Sequence, residues 1–400
     1  IGAIQKYSNQ LRLAAFGYMP QSKNNSAGGA TFGGVLRAPM KYVGIKTYNI
    51  NGQDNTPSGG NPNAEWNANN GVFLKDPDSG EFENSGVINY LNKFGRTGAT
   101  QGLYKYYDPL GELYYETLRY LQGLPPTPAA IANITTAMKD GFPVYTTWND
   151  PYGGGRTPSS DYSCLKSNIV VIGDVNIDSS GSSRYPGASA ANNVPNITSW
   201  QSTVNDFERG AISNYVDGQG VTRSTGNPNP SNSSMPSDNM IGLAYWAHTH
   251  DIRGTTWTNE GGTTGKQRPG LRVKTFTFDV NEFGQQNTDN VRRNQNELFM
   301  TAKYGGFQTD PSNSEKKPYN TFGNPFKRQD GTNDNDVWRD PQRLGPNGVA
   351  GNIGEASTYY LQSDARGVLS AFDEIFSRSA SASRSIAGGA SSSSSASSNT

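Results

Sequence analysis

One acidic residue stands where many α/β proteins bind their ligands. The stretch NIVVIGDVN (168–176) is an apolar run that ends at Asp174. In an open α/β sheet, ligands bind beyond the carboxyl ends of the strands, and a carboxylate there can hold a divalent cation such as Mg²⁺ or Ca²⁺. Asp also starts turns and caps nearby amides after many strands. The spacing alone favours the turn.

A second acidic pattern follows within a few residues. Residues 178–182 read DSSGS, which is the Asp-x-Ser-x-Ser pattern of von Willebrand factor A domains, where one carboxylate and two hydroxyls bind a Mg²⁺-type ion. That motif leaves its strand directly and enters a helix. Here four residues intervene after Gly173, and SRYPGASAANN (183–193) cannot start a helix. We therefore interpret 178–182 as a loop.

The two histidines do not form a metal or catalytic pattern. His248 and His250 are two apart in a helical sequence, so they point to different faces and lack the spacing of a zinc pair. We expect His248 on the packed face and His250 near the helix end, interacting with the helix dipole. The segment GGTTGK (261–266) has no preceding strand and does not match a phosphate loop.

Three carboxylates could supply the acid/base pair of a glycoside hydrolase. They are Glu112, Glu116 and Asp279. Glu112 and Glu116 are one helical turn apart, a spacing for which solvation at the surface is the commoner explanation. Such an enzyme requires two carboxyl groups roughly 5–10 Å apart in a pocket.

Composition narrows the class of protein. The 34 basic and 34 acidic residues give a net charge of zero, which provides no electrostatic case for nucleic acid or an anionic membrane. Charged residues are only 17% and the mean hydropathy is −0.70, so the polarity comes mostly from uncharged side chains and 47 glycines. This character is more typical of an exported surface protein than of a cytosolic enzyme.

Cysteine usage and the termini add two expectations. Cys164 is the only cysteine, which excludes an internal disulfide, and its place before the apolar run 169–172 predicts burial. No stretch is long and apolar enough to cross a bilayer. The chain begins Ile1-Gly2-Ala3 without a signal peptide, so we expect it to be a segment of something longer.

Strands and helices are predicted to alternate along the chain. Apolar patterns predict strands near 11–19, 33–44, 168–173 and 271–280 and helices over 85–95, 108–124, 129–139, 237–253, 294–307 and 358–382. The strand 168–173 is continuously apolar, as expected of a strand buried on both faces. This order predicts an α/β fold with a mainly parallel sheet flanked by helices.

Long polar stretches interrupt these elements. We expect one domain over residues 1–382, with loop insertions near 51–85, 141–166, 179–235 and 308–355. A Ser-rich linker is expected over 383–400, because its composition cannot pack a core.

Short motifs in a fixed order carry a resemblance to a known family. They are GGVLR (33–37), INYLNKFG (88–95), YDPLGELYYETLRYLQGL (107–124), DGFPV (140–144), NIVVIGDVN (168–176), GLAYWAHTHDIR (242–253), VKTFTFDVNE (273–282) and AKYGGF (302–307). Together they resemble the N-terminal domain of the type IV pilus tip-associated adhesin (PilY-type) family.

The resemblance implies a fold and an incomplete metal site. The fold would be von Willebrand factor A-like, that is Rossmann-like, with a calcium-binding β-propeller following in the full chain. Asp174 would take an outer-sphere metal carboxylate position, and Asp108 would lie roughly where the Thr-Pro turn of the site is expected. The first strand, with its own Asp-x-Ser-x-Ser, would precede residue 1. Any divalent cation, Mg²⁺ or Ca²⁺, should therefore bind weakly.

The same resemblance implies a non-enzymatic function at the bacterial cell surface. Such proteins lie at the pilus tip or outer membrane and act in pilus assembly, retraction control, adhesion and surface sensing. The expected partners are pilus subunits, minor pilins, or a host or abiotic surface, contacted through the long loops. Two alternatives stay open: a free-standing metal-dependent adhesion domain using Asp174 and Asp108, and a secreted glycoside hydrolase using the carboxylates above.

Overall fold

The chain folds into two compact units. The computed structural model describes residues 2–19, 34–78, 81–94, 110–153, 162–174, 196–209, 215–216, 222–223, 239–254, 264–281, 296–308, 325–326, 334–340, 355–361 and 365–390. Unit 1 comprises Ile1–Lys166, Arg253–Gly270 and Leu369–Thr400, and unit 2 comprises Ser167–Ile252 and Leu271–Val368. The domain boundaries expected from the sequence stay a prediction.

Unit 1 combines a small antiparallel ribbon with short helices. Its elements are α1 (Ala3–Lys6), β1 (Leu13–Gly17), β2 (Val35–Lys41), α2 (Val87–Lys93), α3 (Leu110–Leu121) and α4 (Thr136–Lys139), with 3-10 turns at Pro128–Ile131 and Thr264–Lys266. Strands β1 and β2 pair antiparallel. The prolyl residue of β2, Pro39, fits this small sheet, because proline cannot donate to a neighbouring strand.

A compact apolar cluster holds the ribbon and helix α2 together. Its buried members are Ala15, Ala38, Val43, Val87, Tyr90 and Phe142. The rings of Tyr90 and Phe142 meet edge to face with centroids 5.2 Å apart. Full burial of a side chain the size of valine or phenylalanine stabilises a fold by about 1.5–3 kcal/mol.

Asparagine side chains shape the long loop between β2 and α2. Asn49 Oδ1 accepts hydrogen bonds from the backbone amides of Asn51 and Gln53, each at 3.0 Å. Asn61 Nδ2 donates to the carbonyls of Tyr42 and Gly44. These bonds replace the ladder of a regular element, which explains how a glycine- and asparagine-rich sequence keeps a defined path. The described residues of this loop contain no helix.

Unit 2 is built around a parallel three-stranded sheet. Its elements are β3 (Ser167–Gly173), α5 (Ile197–Arg209), β4 (Tyr215–Val216), β5 (Thr222–Arg223), α6 (Met240–Thr249), β6 (Val273–Asp279), α7 (Glu297–Gly306), β7 (Arg339–Asp340), β8 (Glu355–Ala356) and β9 (Tyr359–Leu361). The order in the sheet is β3-β6-β9, and both pairings are parallel. The prediction of adjacent parallel strands near 170 and 275 is confirmed.

The two long strands differ in burial. In the central strand β6, Val273, Phe276 and Phe278 are almost fully buried. In β3, Ile169 and Val171 are buried but Ile172 is 42% exposed. The prediction that β3 is buried on both faces is therefore wrong. The physical reason is its place at the edge of the three described strands, where one face is only partly covered.

Helix α7 approaches the sheet closely because it ends in two glycines. A Cβ atom on Gly305 would lie 2.9 Å from Ala244 Cβ and 3.0 Å from Thr275 Cβ. One on Gly306 would lie closer still to the side chain of Thr358. Gly305 and Gly306 are the last two residues of the helix, and their lack of side chains permits this close packing.

Three sequence expectations are corrected by the elements observed. Residues 359–361, predicted as helix, form strand β9, and the final helix α8 spans Ala365–Ala390. Helix α5 lies inside the expected polar insertion 179–235, where Asn196 Oδ1 accepts a hydrogen bond from Ser199 N at its start. Cys164 is exposed rather than buried, because it falls in a turn before β3 begins.

Candidate functional site

The carboxyl edge of the parallel sheet gathers polar side chains in unit 2. Gly173, Asp279 and Leu361 are register partners at the ends of β3, β6 and β9. Asp174 follows β3 directly and is half-buried. The amide of Val280 donates to the carbonyl of Gly173 at 2.8 Å, so pairing continues to this edge. This is the edge at which open α/β sheets bind ligands.

Asp279 is the centre of a buried hydrogen-bond network at this edge. Its side chain is fully buried. Oδ2 accepts from the Tyr359 hydroxyl at 2.7 Å and from Asn296 Nδ2 at 3.1 Å, and Oδ1 accepts from the Asn281 amide at 2.8 Å. A buried carboxylate is stable only when hydrogen bonds or charges compensate its lost hydration. Here three donors do so.

The network ties three elements together. Asn296 is the N-cap of α7, since its Oδ1 accepts from the Phe299 amide at 2.8 Å. Its Nδ2 also reaches the Tyr359 hydroxyl at 3.0 Å. Asp279 thereby fixes the end of β6 against β9 and against the start of α7. Because both of its carboxylate oxygens accept hydrogen bonds, Asp279 stabilises this edge of the sheet.

The predicted metal ligands are only partly described. Asp174 lies at the predicted strand end, whereas Asp108 and residues 178–182 lie outside the described residues. Within the described ranges, no three His, Cys, Asp or Glu residues are grouped so as to hold a metal ion. The described part of the chain thus supplies Asp174 alone of the expected ligands, and the divalent cation stays a prediction.

The two glutamates of α3, in unit 1, are buried rather than solvated. Glu112 is 1% and Glu116 is 2% exposed, contrary to the surface position considered above. Glu116 accepts from the Thr127 amide at 2.9 Å and from the Thr127 hydroxyl at 2.6 Å. Burial raises the pKa of Glu116 to about 7, although the bonds from Thr127 oppose the rise. Glu116 therefore joins α3 to the following 3-10 turn.

His248, in α6, and His250, the residue that caps this helix, both pack in unit 2. His248 Nε2 lies 2.7 Å from the carbonyl oxygen of Phe307, and burial lowers the pKa of His248 to about 4. His250 contacts the rings of Trp200 and Trp246 at the helix end. Burial lowers the pKa of His250 as well, which weakens the dipole interaction expected at the helix terminus.

A buried ion pair in unit 2 could not be predicted from the sequence. Lys303 Nζ lies 2.7 Å from Glu208 Oε2, and the Tyr304 hydroxyl donates to the same oxygen at 2.8 Å. The ammonium lies 4.7 Å from the ring centroid of Trp338 and 5.0 Å from that of Phe326. Partners 95 residues apart leave no signal in local spacing.

The arginine that closes the motif GLAYWAHTHDIR anchors unit 1. Arg253 is fully buried and donates from Nη1 and Nη2 to the two oxygens of Asp150, at 2.9 Å and 2.7 Å. Its Nε and Nη2 also donate to the Leu121 carbonyl at the end of α3. Burial alone would raise the pKa of Asp150, but the hydrogen bonds and charge of Arg253 outweigh it and lower that pKa to about 2.

The fold of unit 2 places the protein in a general structural class. A parallel sheet with flanking helices and a polar carboxyl edge is the layout of mixed α/β proteins of the Rossmann-like kind. The family described as PilY1 homolog, second domain, matches residues 23–244. This is more than half of the 400 residues, and the chain belongs to the PilY1 homolog family. The family predicted from the motifs is confirmed, while a von Willebrand factor A-like N-terminal domain stays a prediction.

A curated relative agrees with this family. The chain is 27% identical over 407 residues to the type IV pilus biogenesis factor PilY1 homolog of Xylella fastidiosa (strain Temecula1). The alignment covers 94% of this chain but 29% of that protein, so the chain spans less than a third of the relative's length. No solved structure matches the chain. Among the described residues, no helix combines the length and apolarity that crossing a membrane requires.

Proposed function

We propose that this chain is a recognition domain of a type IV pilus biogenesis factor and that it acts by binding, without catalysis. The observation that carries the proposal is the family match over residues 23–244, together with a relative whose name is that of a pilus biogenesis factor. The expected location is the bacterial cell surface, at the pilus tip or the outer membrane.

The architecture suits recognition through loops. Loops carry most binding residues of proteins when a rigid scaffold positions them. Here the loop between β2 and α2 is braced by its own asparagine side chains, such as Asn49 and Asn67. A braced loop loses little conformational entropy on binding, which favours affinity. Pilus subunits or minor pilins are the proposed partners, with a host or abiotic surface as the target of adhesion.

The hydrogen bonds of Glu116 in α3 are those of a structural residue. Both of its oxygens accept from Thr127, which joins α3 to the following 3-10 turn, and this favours the non-catalytic proposal over an acid/base role. A divalent cation at Asp174 would serve adhesion rather than chemistry, as part of a weak site.

The test uses the full-length protein in its own bacterium. We expect removal of the segment equivalent to residues 2–390 to lower the number of surface pili, and purified minor pilins to bind the full-length protein but not the deleted one. The matched control is Glu116→Gln, which preserves shape and should leave pilus number and pilin binding unchanged. Normal piliation after the deletion would refute the proposal, and loss of function in Glu116→Gln alone would favour an acid/base enzyme.

A further inference from the structure

Three consecutive apolar residues lie exposed on the braced loop of unit 1. Val72, Phe73 and Leu74, here called the VFL tip, expose 60%, 47% and 38% of their surfaces. Successive side chains of an extended segment point to opposite faces. Exposure of all three therefore means that both faces of the segment are open. A flat protein surface can cover only one of these faces, whereas a fluid apolar phase surrounds both.

Four of the six backbone N–H and C=O groups of the VFL tip are hydrogen-bonded within unit 1. An apolar phase penalises every backbone N–H or C=O that enters it without a partner. These four bonds remove much of that penalty. The bonds are Asn67 N to Val72 O, Val72 N to Asn70 Oδ1, Leu74 N to Glu65 O, and Asn89 Nδ2 to Leu74 O, all between 2.8 and 2.9 Å.

The charges that follow the tip are mainly acidic. Lys75 comes directly after the tip, and Asp76, Asp78, Glu81 and Glu83 lie within the next eight residues. This balance disfavours an anionic surface, because like charges repel. A zwitterionic surface with an apolar interior accepts the exposed apolar side chains without that repulsion.

We propose that the VFL tip inserts into the interfacial region of a zwitterionic lipid surface. The apolar side chains enter the boundary of the acyl region, while the amides of Asn67 and Asn69 and the ammonium of Lys75 lie among the headgroups. Three side chains bury less apolar area than a single acyl anchor, so this attachment is weak and reversible on its own. The inference is independent of the proposed pilus function, because it concerns a surface of unit 1 that needs no pilin.

Phosphatidylcholine vesicles test the proposal directly. We expect the purified chain to co-sediment with sucrose-loaded vesicles, and the double variant Val72→Ser/Phe73→Ser to bind about tenfold more weakly, because two exposed apolar side chains are lost. The matched control is Leu369→Ser, which removes an apolar side chain that is 73% exposed elsewhere in the chain and should bind like wild type. All three proteins should show the same thermal unfolding midpoint.

A second measurement reports how deeply the VFL tip enters the lipid. In Phe73→Trp, brominated phosphatidylcholine should quench the added tryptophan fluorescence beyond the level seen in wild type. Absence of vesicle binding by wild type, equal binding by the double variant, or no added quenching in Phe73→Trp would each overturn the proposal. Self-association of wild type that the double variant loses, measured by sedimentation equilibrium without lipid, would identify the tip as a protein interface instead.

Discussion

Asp150 forms a buried ion pair with Arg253 in unit 1. Removing one partner of a buried ion pair leaves the other charge uncompensated, which costs about 3–5 kcal/mol. We therefore expect Asp150→Asn to destabilise unit 1 by that order in urea unfolding, because Arg253 stays buried. Asp336→Asn, which breaks a largely exposed pair with Arg339, is the control and should change little. Equal effects of both changes would contradict this account.

His248 makes the stability of unit 2 depend on acid. Burial holds its pKa at about 4 in the folded state, against 6.5 when unfolded. Between these values the unfolded chain binds a proton that the folded chain does not, so stability falls as the pH drops from 6.5 towards 4, by an order of 3 kcal/mol at most. Unfolding curves from pH 7 to 4 should show this slope in wild type and a shallower one in His248→Gln.

Glu116 acts with the opposite sign in unit 1. Its folded pKa of about 7 lies above the ordinary value of 4.5, so the folded state holds the extra proton between these values. The stability of unit 1 should therefore fall as the pH rises from 4.5 through 7, again by an order of 3 kcal/mol at most. Glu116→Gln removes the titrating group and should flatten the profile. An unchanged slope in that variant would show that another group is responsible.

At the residue scale, the sequence predicts where a residue lies along a strand or helix better than it predicts whether its side chain is buried. The end of an apolar run was enough to locate Asp174 at the edge of the sheet. The burial of Glu116 could not be inferred, because a helical spacing of two glutamates is the same on a solvated and on a packed face. Arg253 and Asp150 are 103 residues apart, and contacts of this range leave no local pattern.

At the scale of elements, long apolar segments were predictable and short ones were not. Strand β3 contains the continuous apolar run 169–172, and β6 carries Val273, Phe276 and Phe278 among threonines, residue types that favour extended backbone. Strand β9 has three residues, and its tyrosines fit a helical pattern equally well until pairing with β6 selects the extended form. Helix α5 was missed because the glycine- and serine-rich residues on either side dominate the composition of that region.

Helix α7 provides a test of close packing. Overpacking a well-packed core costs typically about 1–3 kcal/mol. We expect Gly305→Ala to lower the stability of unit 2 by that order, because the added methyl group meets Ala244 and Thr275. Gly265→Ala is the matched control, since a Cβ there would meet no atom within 4 Å. Calorimetric unfolding midpoints measure both, and a stable Gly305→Ala would show that α7 can move away from the sheet.

At the scale of the whole molecule, the metal prediction depends on what the chain supplies. A cation that binds the folded state raises stability in proportion to the logarithm of its concentration over its dissociation constant. With Asp174 as the single described ligand, we expect Mg²⁺ or Mn²⁺ to cause little or no shift in thermal unfolding. A large shift that Asp174→Ala abolishes would instead demonstrate a complete site.

The division into units also bears on how the polypeptide acquires its structure during synthesis. Unit 1 needs Arg253 against Leu121 and Asp150, yet the 86 residues of Ser167–Ile252 lie between these segments in the chain. A nascent chain grows from its amino terminus, so the buried contacts of unit 1 cannot be completed until Arg253 has been synthesised. Chaperones that bind exposed apolar surface should therefore stay bound longest to residues 1–166. A chain truncated before Arg253 should aggregate more readily than the whole chain.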